Sequence, residues 1–169
     1  MDLREAVREN HQAAEKTRWS QMMISGDMRI EQYAAMLYNM IPIYQELERD
    51  DLITKPQVLR HRLVQKDLDD IGGSKHGLAL STLYYVQHLQ TLDQRDRWAH
   101  IYVHYLGNMY GGQMIGRRLP GPHNHLLFDD LKDCIEYVRS NLTDVRPEAA
   151  NNAFIWTIKI YDELYSLFG

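Results

Sequence analysis

Residues 105–116 read YLGNMYGGQMIG and hold four of the chain's ten glycines, at 107, 111, 112 and 116. The residues on either side repeat their apolar positions at helical spacing. A glycine inside a helix costs about 0.5–1 kcal/mol relative to alanine. A helix that accepts this cost repeatedly over a short stretch is using its bare backbone. Gly107 and Gly111 lie four apart and share a face, and Gly112 is adjacent. Missing Cβ atoms let a flat ligand or a second helix come close to the backbone, and they also permit a kink. Taken alone, the stretch fits a packing seam and a ligand wall equally. It does not fit a phosphate loop, which follows a strand and opens a helix.

Working outward, the same periodicity predicts helices over Gln94 to Arg118 and Leu78 to Leu92, with a loop, LPGPHNH, after the glycines at 119–125. Two last helices are expected over Leu126 to Asn141 and Pro147 to Leu167, the second opened by proline at its first position. Towards the N-terminus, helices are expected over Asp2 to Thr17, Trp19 to Met23, Arg29 to Asp50 and Pro56 to Leu68. Pro42 falls inside the long one and should kink or break it. No pair of alternating runs is joined by an Asn-Gly or Asp-Gly turn. The expectation is an all-α, single-domain multi-helix bundle over residues 1–169.

Composition narrows the function. A net charge of −4 and a pI near 6.0 argue against nucleic-acid binding through global positive charge. One cysteine, Cys134, cannot make an internal disulfide and suits a reducing compartment. MDLREAVREN at the N-terminus is charged and lacks the apolar run of a secretory signal. No window reaches the roughly 18–20 apolar residues of a membrane span. These features lead us to expect a soluble cytoplasmic protein with no membrane or nucleic-acid partner.

The first helix carries the other chemistry. In ENHQAAEK, His11 and Glu15 stand four apart on one face. A neutral imidazole can ligate a metal while a carboxylate accepts its other N–H and sets the tautomer. A solvated polar pair has the same spacing. Arg4 and Arg8 precede His11 on neighbouring parts of the helix. They read as surface charges or as partners for the carboxylates of an acidic ligand.

Together these pieces resemble the haem oxygenase family. HQAAE is similar to its proximal-histidine motif, and YLGNMYGGQ to its distal-helix signature, usually Gly-Asp-x-x-Gly-Gly-Gln. IYQELE, residues 43–48, resembles a family segment in register with that histidine, and AFIWTIKIYDEL, residues 153–164, resembles its last core helix. The resemblance implies a haem held between the first, proximal helix and a Gly-kinked distal helix. It implies His11 as the iron ligand, Glu15 as its hydrogen-bond partner, and Arg4 and Arg8 near the propionates. It puts Gly107, Gly111 and Gly112 on the distal wall, Tyr44 in the distal water network, and Tyr102 and Phe154 among the pocket aromatics. Lys132 and Arg139 are both candidates for a further propionate contact.

The implied activity is oxidative cleavage of haem to biliverdin, by default the IX-alpha isomer, with release of ferrous iron and CO. Haem is cofactor and substrate, O2 is consumed, and electrons come from a partner such as ferredoxin or a reductase. That donor would dock on a basic patch supplied by Arg4, Arg8, Arg117 and Arg118. A monomer is expected.

The chain departs from the pattern at Asn108, which stands where the family usually has an aspartate, and at His104, where an arginine is common. Asparagine can hold a water but cannot carry charge or act as a base near neutrality. A non-catalytic haem carrier of the same fold is therefore the alternative. Two other helical-bundle enzymes stay open, a thiamin-degrading relative using Cys134 and a di-iron carboxylate protein.

Overall fold

The computed structural model describes residues 2–169. Its helices are α1 (Leu3–Ala6), α2 (Arg8–Glu15), α3 (Arg18–Ser25), α4 (Ile30–Leu47), α5 (His61–Asp70), α6 (Leu80–Gln90), α7 (Gln94–Ile101), α8 (Gly107–Gly116), α9 (Leu131–Ser140) and α10 (Pro147–Phe168). A π-helical segment, Tyr102–Leu106, joins α7 to α8. Among the described residues there is no strand, and no helix is long and apolar enough to cross a membrane.

The core is built on α4 and α10. Helix α4 buries Tyr33, Met36, Leu37, Ile43, Tyr44 and Leu47 and packs against α5 and α6. Pro42 does not break it. The proline removes the N–H that would meet the Tyr38 carbonyl, and Tyr38 is exposed, so solvent can serve that group. Helix α10 packs against α2, α3 and α7. Its small residues Ala149, Ala150 and Ala153 let those helices approach closely, beside Phe154. Gln32 ties the two long helices together. Its amide oxygen accepts from the Arg29 N–H at 2.8 Å and its nitrogen donates to the Phe168 carbonyl at 2.8 Å.

Three expected boundaries moved, and each move has a tertiary cause. The first helix breaks at Val7, which leaves helical geometry (φ −105, ψ 2) while its side chain buries against α10. Residues 56–60 do not join α5; a 3₁₀ turn fills Pro56–Val58 and the helix starts at His61. There Glu48 accepts from the Arg60 N–H at 2.7 Å and from the His61 N–H at 3.3 Å, so a carboxylate from elsewhere in the chain caps the helix. Helix α9 begins at Leu131, not Leu126. The backbone groups needed to start it earlier are already taken. Asp67 accepts from the His125 N–H at 3.0 Å, and the Arg60 guanidinium binds the carbonyls of His125 at 3.2 Å and Leu127 at 2.8 Å.

Helix α6 is also capped in trans. Asn39 accepts from the Ala79 N–H, and Glu163 accepts from the N–H groups of Leu80 and Ser81. Burial pushes the Glu163 carboxyl up, but those donors together with the Ser81 hydroxyl outweigh it and hold the group below its ordinary range.

Candidate functional site

The glycine helix has two faces. A Cβ built on Gly107 or Gly111 would meet nothing within 4 Å. One built on Gly112 would sit 3.3 Å from the side chain of Leu126, and one on Gly116 would run into the ring of His123. Gly107 and Gly111 thus border open space, while Gly112 and Gly116 form a close-packed seam with the loop before α9. All four keep negative φ, so none is required for a left-handed turn. The irregular winding expected at the glycines lies one step earlier, in the π segment Tyr102–Leu106. Such segments are uncommon and concentrate at functional sites.

The π segment is anchored from inside. The Tyr105 hydroxyl donates to Glu48 at 2.6 Å, and the same carboxylate meets His61 Nδ1 at 2.6 Å. Burial and then the Glu48 charge hold the Tyr105 phenol well above its ordinary pKa, so it stays a donor. Tyr44 packs edge-on against Tyr105, with ring centroids 5.2 Å apart. Asn108 extends from the start of α8, and its amide donates to the Tyr44 hydroxyl at 2.8 Å. Burial raises the Tyr44 pKa, and the Asn108 bond offsets part of that rise. This bond occupies the Asn108 nitrogen and leaves its carbonyl oxygen for water or ligand.

On the proximal side, His11 Nε2 lies 3.2 Å from Glu15, with both side chains about half exposed. An exposed pair of this kind contributes under about 1 kcal/mol, so the imidazole can be turned to a stronger ligand at little cost. The His11 ring meets Phe154 edge to face, with centroids 5.6 Å apart. Phe154 belongs to an apolar cluster with Val7, Ala14 and Ala99, and Tyr102 and Val103 of the π segment pack against the same cluster. This cluster joins the helix bearing His11 to the glycine helix through α10.

Basic groups border the same region. Arg8 pairs with Glu5 at 3.1 Å on the surface. The Tyr102 phenol is raised, first by burial and then by Asp2, with Arg139 and Arg4 opposing. Arg4 and Arg139, on different helices, thus both act on the charge of one tyrosine. Arg139 Nε donates to the Tyr110 hydroxyl at 3.0 Å and its guanidinium lies over the Tyr110 ring. Lys132 is exposed, and among the described residues it makes no hydrogen bond or ion pair to the glycine helix. Of the two candidates for a propionate contact, Arg139 is the one linked to α8.

These features fit a flat, acidic, iron-bearing macrocycle. Bare backbone gives room for a ring, an exposed imidazole can reach a metal, and Arg8 and Arg139 are exposed cations able to pair with carboxylates. The other bundle chemistries fit less well. Among the described residues no three His, Cys, Asp or Glu side chains are grouped as a di-iron site needs. Cys134 is buried, donates its S–H to the Asp129 carbonyl at 3.3 Å, and has its thiol pushed up by burial, the opposite of an activated nucleophile.

Sequence reading did not find the Glu48 anchor or the cluster of Tyr85, His88, His100 and Trp156 behind His104. The His100 and His104 spacing of four was visible, but their shared partner lies on another helix.

Comparison with known proteins agrees with this geometry. The family model described as "Heme oxygenase" matches residues 1–161. Heme oxygenase 1 of Gallus gallus is 24% identical over 204 aligned positions, covering 98% of this chain and 69% of the relative. The Bos taurus enzyme is also 24% identical, covering 98% and 71%. The crystal structure of heme oxygenase-1 from the cyanobacterium Synechocystis, in complex with heme, superposes with a TM-score of 0.84 at 20% identity, covering 98% of this chain and 91% of that one. Heme oxygenase from Leptospira interrogans gives 0.79 at 22% identity, covering 95% and 97%.

Proposed function

The chain belongs to the haem oxygenase family, and from that premise we propose that it binds haem in the open space beside Gly107 and Gly111 and cleaves it to biliverdin with release of ferrous iron and CO. The observation that carries the reading is the open glycine face lying next to the Asn108–Tyr44 bond. A ring seated on bare backbone leaves little room on that side, so whatever binds there is steered towards the ring edge. Bound haem supplies the oxygen and redox chemistry; the protein supplies position and protons.

In this reading His11 holds the iron once Glu15 releases its nitrogen, and Glu15 then orients the ring. Arg4, Arg8 and Arg139 hold the propionates, with Arg8 exchanging Glu5 for a propionate. Tyr102 and Phe154 enclose the ring edge. Gly112, packed on Leu126, acts by keeping α8 close to the loop before α9. Asn108 cannot donate a proton of its own at neutral pH. Its role is to hold water against Tyr44, and the protons pass through that water. The product is the IX-alpha isomer, set by the propionate contacts. Electrons come from an acidic donor such as ferredoxin, docking on Arg4, Arg8, Arg117 and Arg118. The protein works as a single-domain monomer in the cytoplasm.

The test is spectroscopic. Haemin added to the protein should give a Soret band typical of histidine ligation, and reduction under O2 should bleach it and yield a bilin. His11→Ala should lose both, with imidazole restoring ligation. A variant that binds and degrades haem like wild type would remove His11 from the site. A wild-type Soret band that persists under reduction, with no bilin, would establish the carrier reading instead.

A further inference from the structure

A cavity of about 550 Å³ lies between α6, α7 and the start of α10, and no residue of the glycine helix is on its walls. Its size is in the range of small-molecule sites, roughly 300–1,000 Å³. Leu92 and Ala149 supply the apolar part of the wall. His88 and His100 supply the polar part. Nε2 of each is buried and meets no hydrogen-bond partner among the described residues. His100 is fully buried. Two orphaned imidazole nitrogens beside one space mark a place for a molecule that the protein does not itself supply.

The hydrogens on these rings can be placed. Burial lowers both histidines, His100 to about 3 with His104 and His88 adding to the effect. Each ring is therefore neutral and holds one N–H. The Tyr85 hydroxyl lies 2.6 Å from His100 Nδ1, and burial keeps that phenol protonated. When Tyr85 donates to Nδ1, the one hydrogen of His100 sits on Nε2, at the cavity wall. Tyr85 then accepts from His104 Nε2, 2.8 Å away. Trp156 stacks on Tyr85 at 5.5 Å and lies 5.8 Å from the His88 ring, which braces both. The opposite tautomers offer bare nitrogens to a metal. However, among the described residues no three His, Cys, Asp or Glu side chains are grouped to hold one.

The rest of the wall also lacks acceptors for those hydrogens. Arg146 and Glu148, both on the wall, stand at the N-cap and in the first turn of the 22-residue α10. That N-terminus has no side-chain cap, whereas α6 is capped by Asn39 and Glu163 and α7 by Asp93. The positive end of the longest helix thus borders the cavity. Two of the five Arg146 donors go to Asp96 and the others stay available. Asp96 is engaged by that pair and the Glu148 side chain is exposed, so neither carboxylate reaches the imidazoles.

We propose that this cavity is a second ligand site, for a small carboxylic acid with an apolar body. The carboxylate accepts from His88, His100 and Arg146 in front of α10, and the apolar body lies against Leu92 and Ala149. The site is independent of haem, so its failure leaves the haem reading untouched.

Benzoate is the probe, titrated into the full chain without haemin. It should bind saturably, with Kd about 1 mM or tighter, and raise the Tm as it binds. The ring signals of His88 and His100 should shift in NMR spectra while those of His11 stay still. Benzamide has the same shape without the charge and should bind at least about tenfold more weakly. Arg146→Gln removes the cation and leaves the Asp96 charge unanswered, and it should weaken benzoate by about tenfold or more. Asn152→Trp, a change on the cavity wall, should abolish binding by filling the space. Arg146→Gln, at an exposed position, decides the matter if the tryptophan variant does not fold. Unsaturable binding, or saturation with the His88 and His100 signals unmoved, overturns the site. Benzamide binding as tightly as benzoate makes the cavity an apolar crevice and overturns the carboxylate assignment. Unchanged affinity in folded variants places benzoate elsewhere and overturns the proposal.

Discussion

The two faces of the glycine helix look alike in sequence and are unlike in space. Gly107 and Gly111 are spaced by four, and so are Gly112 and Gly116. The first pair borders open space, and the second is pressed against Leu126 and His123. One spacing therefore serves two purposes a fraction of a turn apart. The packed pair holds α8 against the loop before α9, and the open pair leaves bare backbone uncovered, which is the surface we propose for the haem. The rotation of α8 decides which pair faces which way, and that rotation follows from the π segment held by Tyr105 on Glu48.

Substitutions can break each part of this contrast, beginning with the largest effect. Glu48→Leu strands the Tyr105 hydroxyl, the His61 ring and the capped N–H groups of α5 at once. A loss of about 3 kcal/mol or more is expected from urea melts. A much smaller loss would mean that the carboxylate does not set the helix rotation. Gly112→Leu adds a side chain where Leu126 already sits. Overpacking should cost about 1–3 kcal/mol, visible as a lower Tm, and an unchanged Tm would mean that the seam is loose.

Acid should weaken the same seam. Asp67 holds the loop through His125 Nδ1 at 2.7 Å and the Asn124 side chain at 2.6 Å. His125 is lowered, mainly by burial, so the unfolded chain takes up its proton first as pH falls below the ordinary value of 6.5. Stability from this histidine is complete above pH 6.5 and falls steadily below it, by under about 1 kcal/mol at pH 6. For Asp67, burial acts upwards, but the bonds from His125 and Asn124 win and the carboxyl is lowered. Its contribution is lost only as pH falls below its ordinary value of 3.8. Melts between pH 8 and 5 should therefore be flat and then fall, and His125→Asn should make that fall shallower without removing it, because burial also lowers His88, His100 and His104.

Gly111→Ala is the smallest change in stability and the sharpest test of the comparison. Alanine meets nothing there, so the helix should gain about 0.5–1 kcal/mol while haem turnover drops. A variant that is more stable and just as active would show that the open face is not the haem wall.

The sequence carried much of this. Helical periodicity along α4, α6, α7 and α10 was legible because each buries one face, and burial imprints its period on the residues. The His11–Glu15 pair and the spacing of Gly107 and Gly111 were legible because they are local. The start of α9 was not. His125 and Leu127 give their backbone groups to Asp67 and Arg60, residues more than fifty positions away. Val7 breaks the first helix for a similar reason, since its partner cluster is built on α10.

By itself, then, the sequence determined the all-helical class and the family, because these follow from period, spacing and motif. Only the tertiary structure decided which glycines pack and which stay open, how Glu48 holds the π segment, and that His100 and His104 share Tyr85. Those outcomes depend on contacts between distant segments, and no local pattern encodes which face of a helix another element will cover.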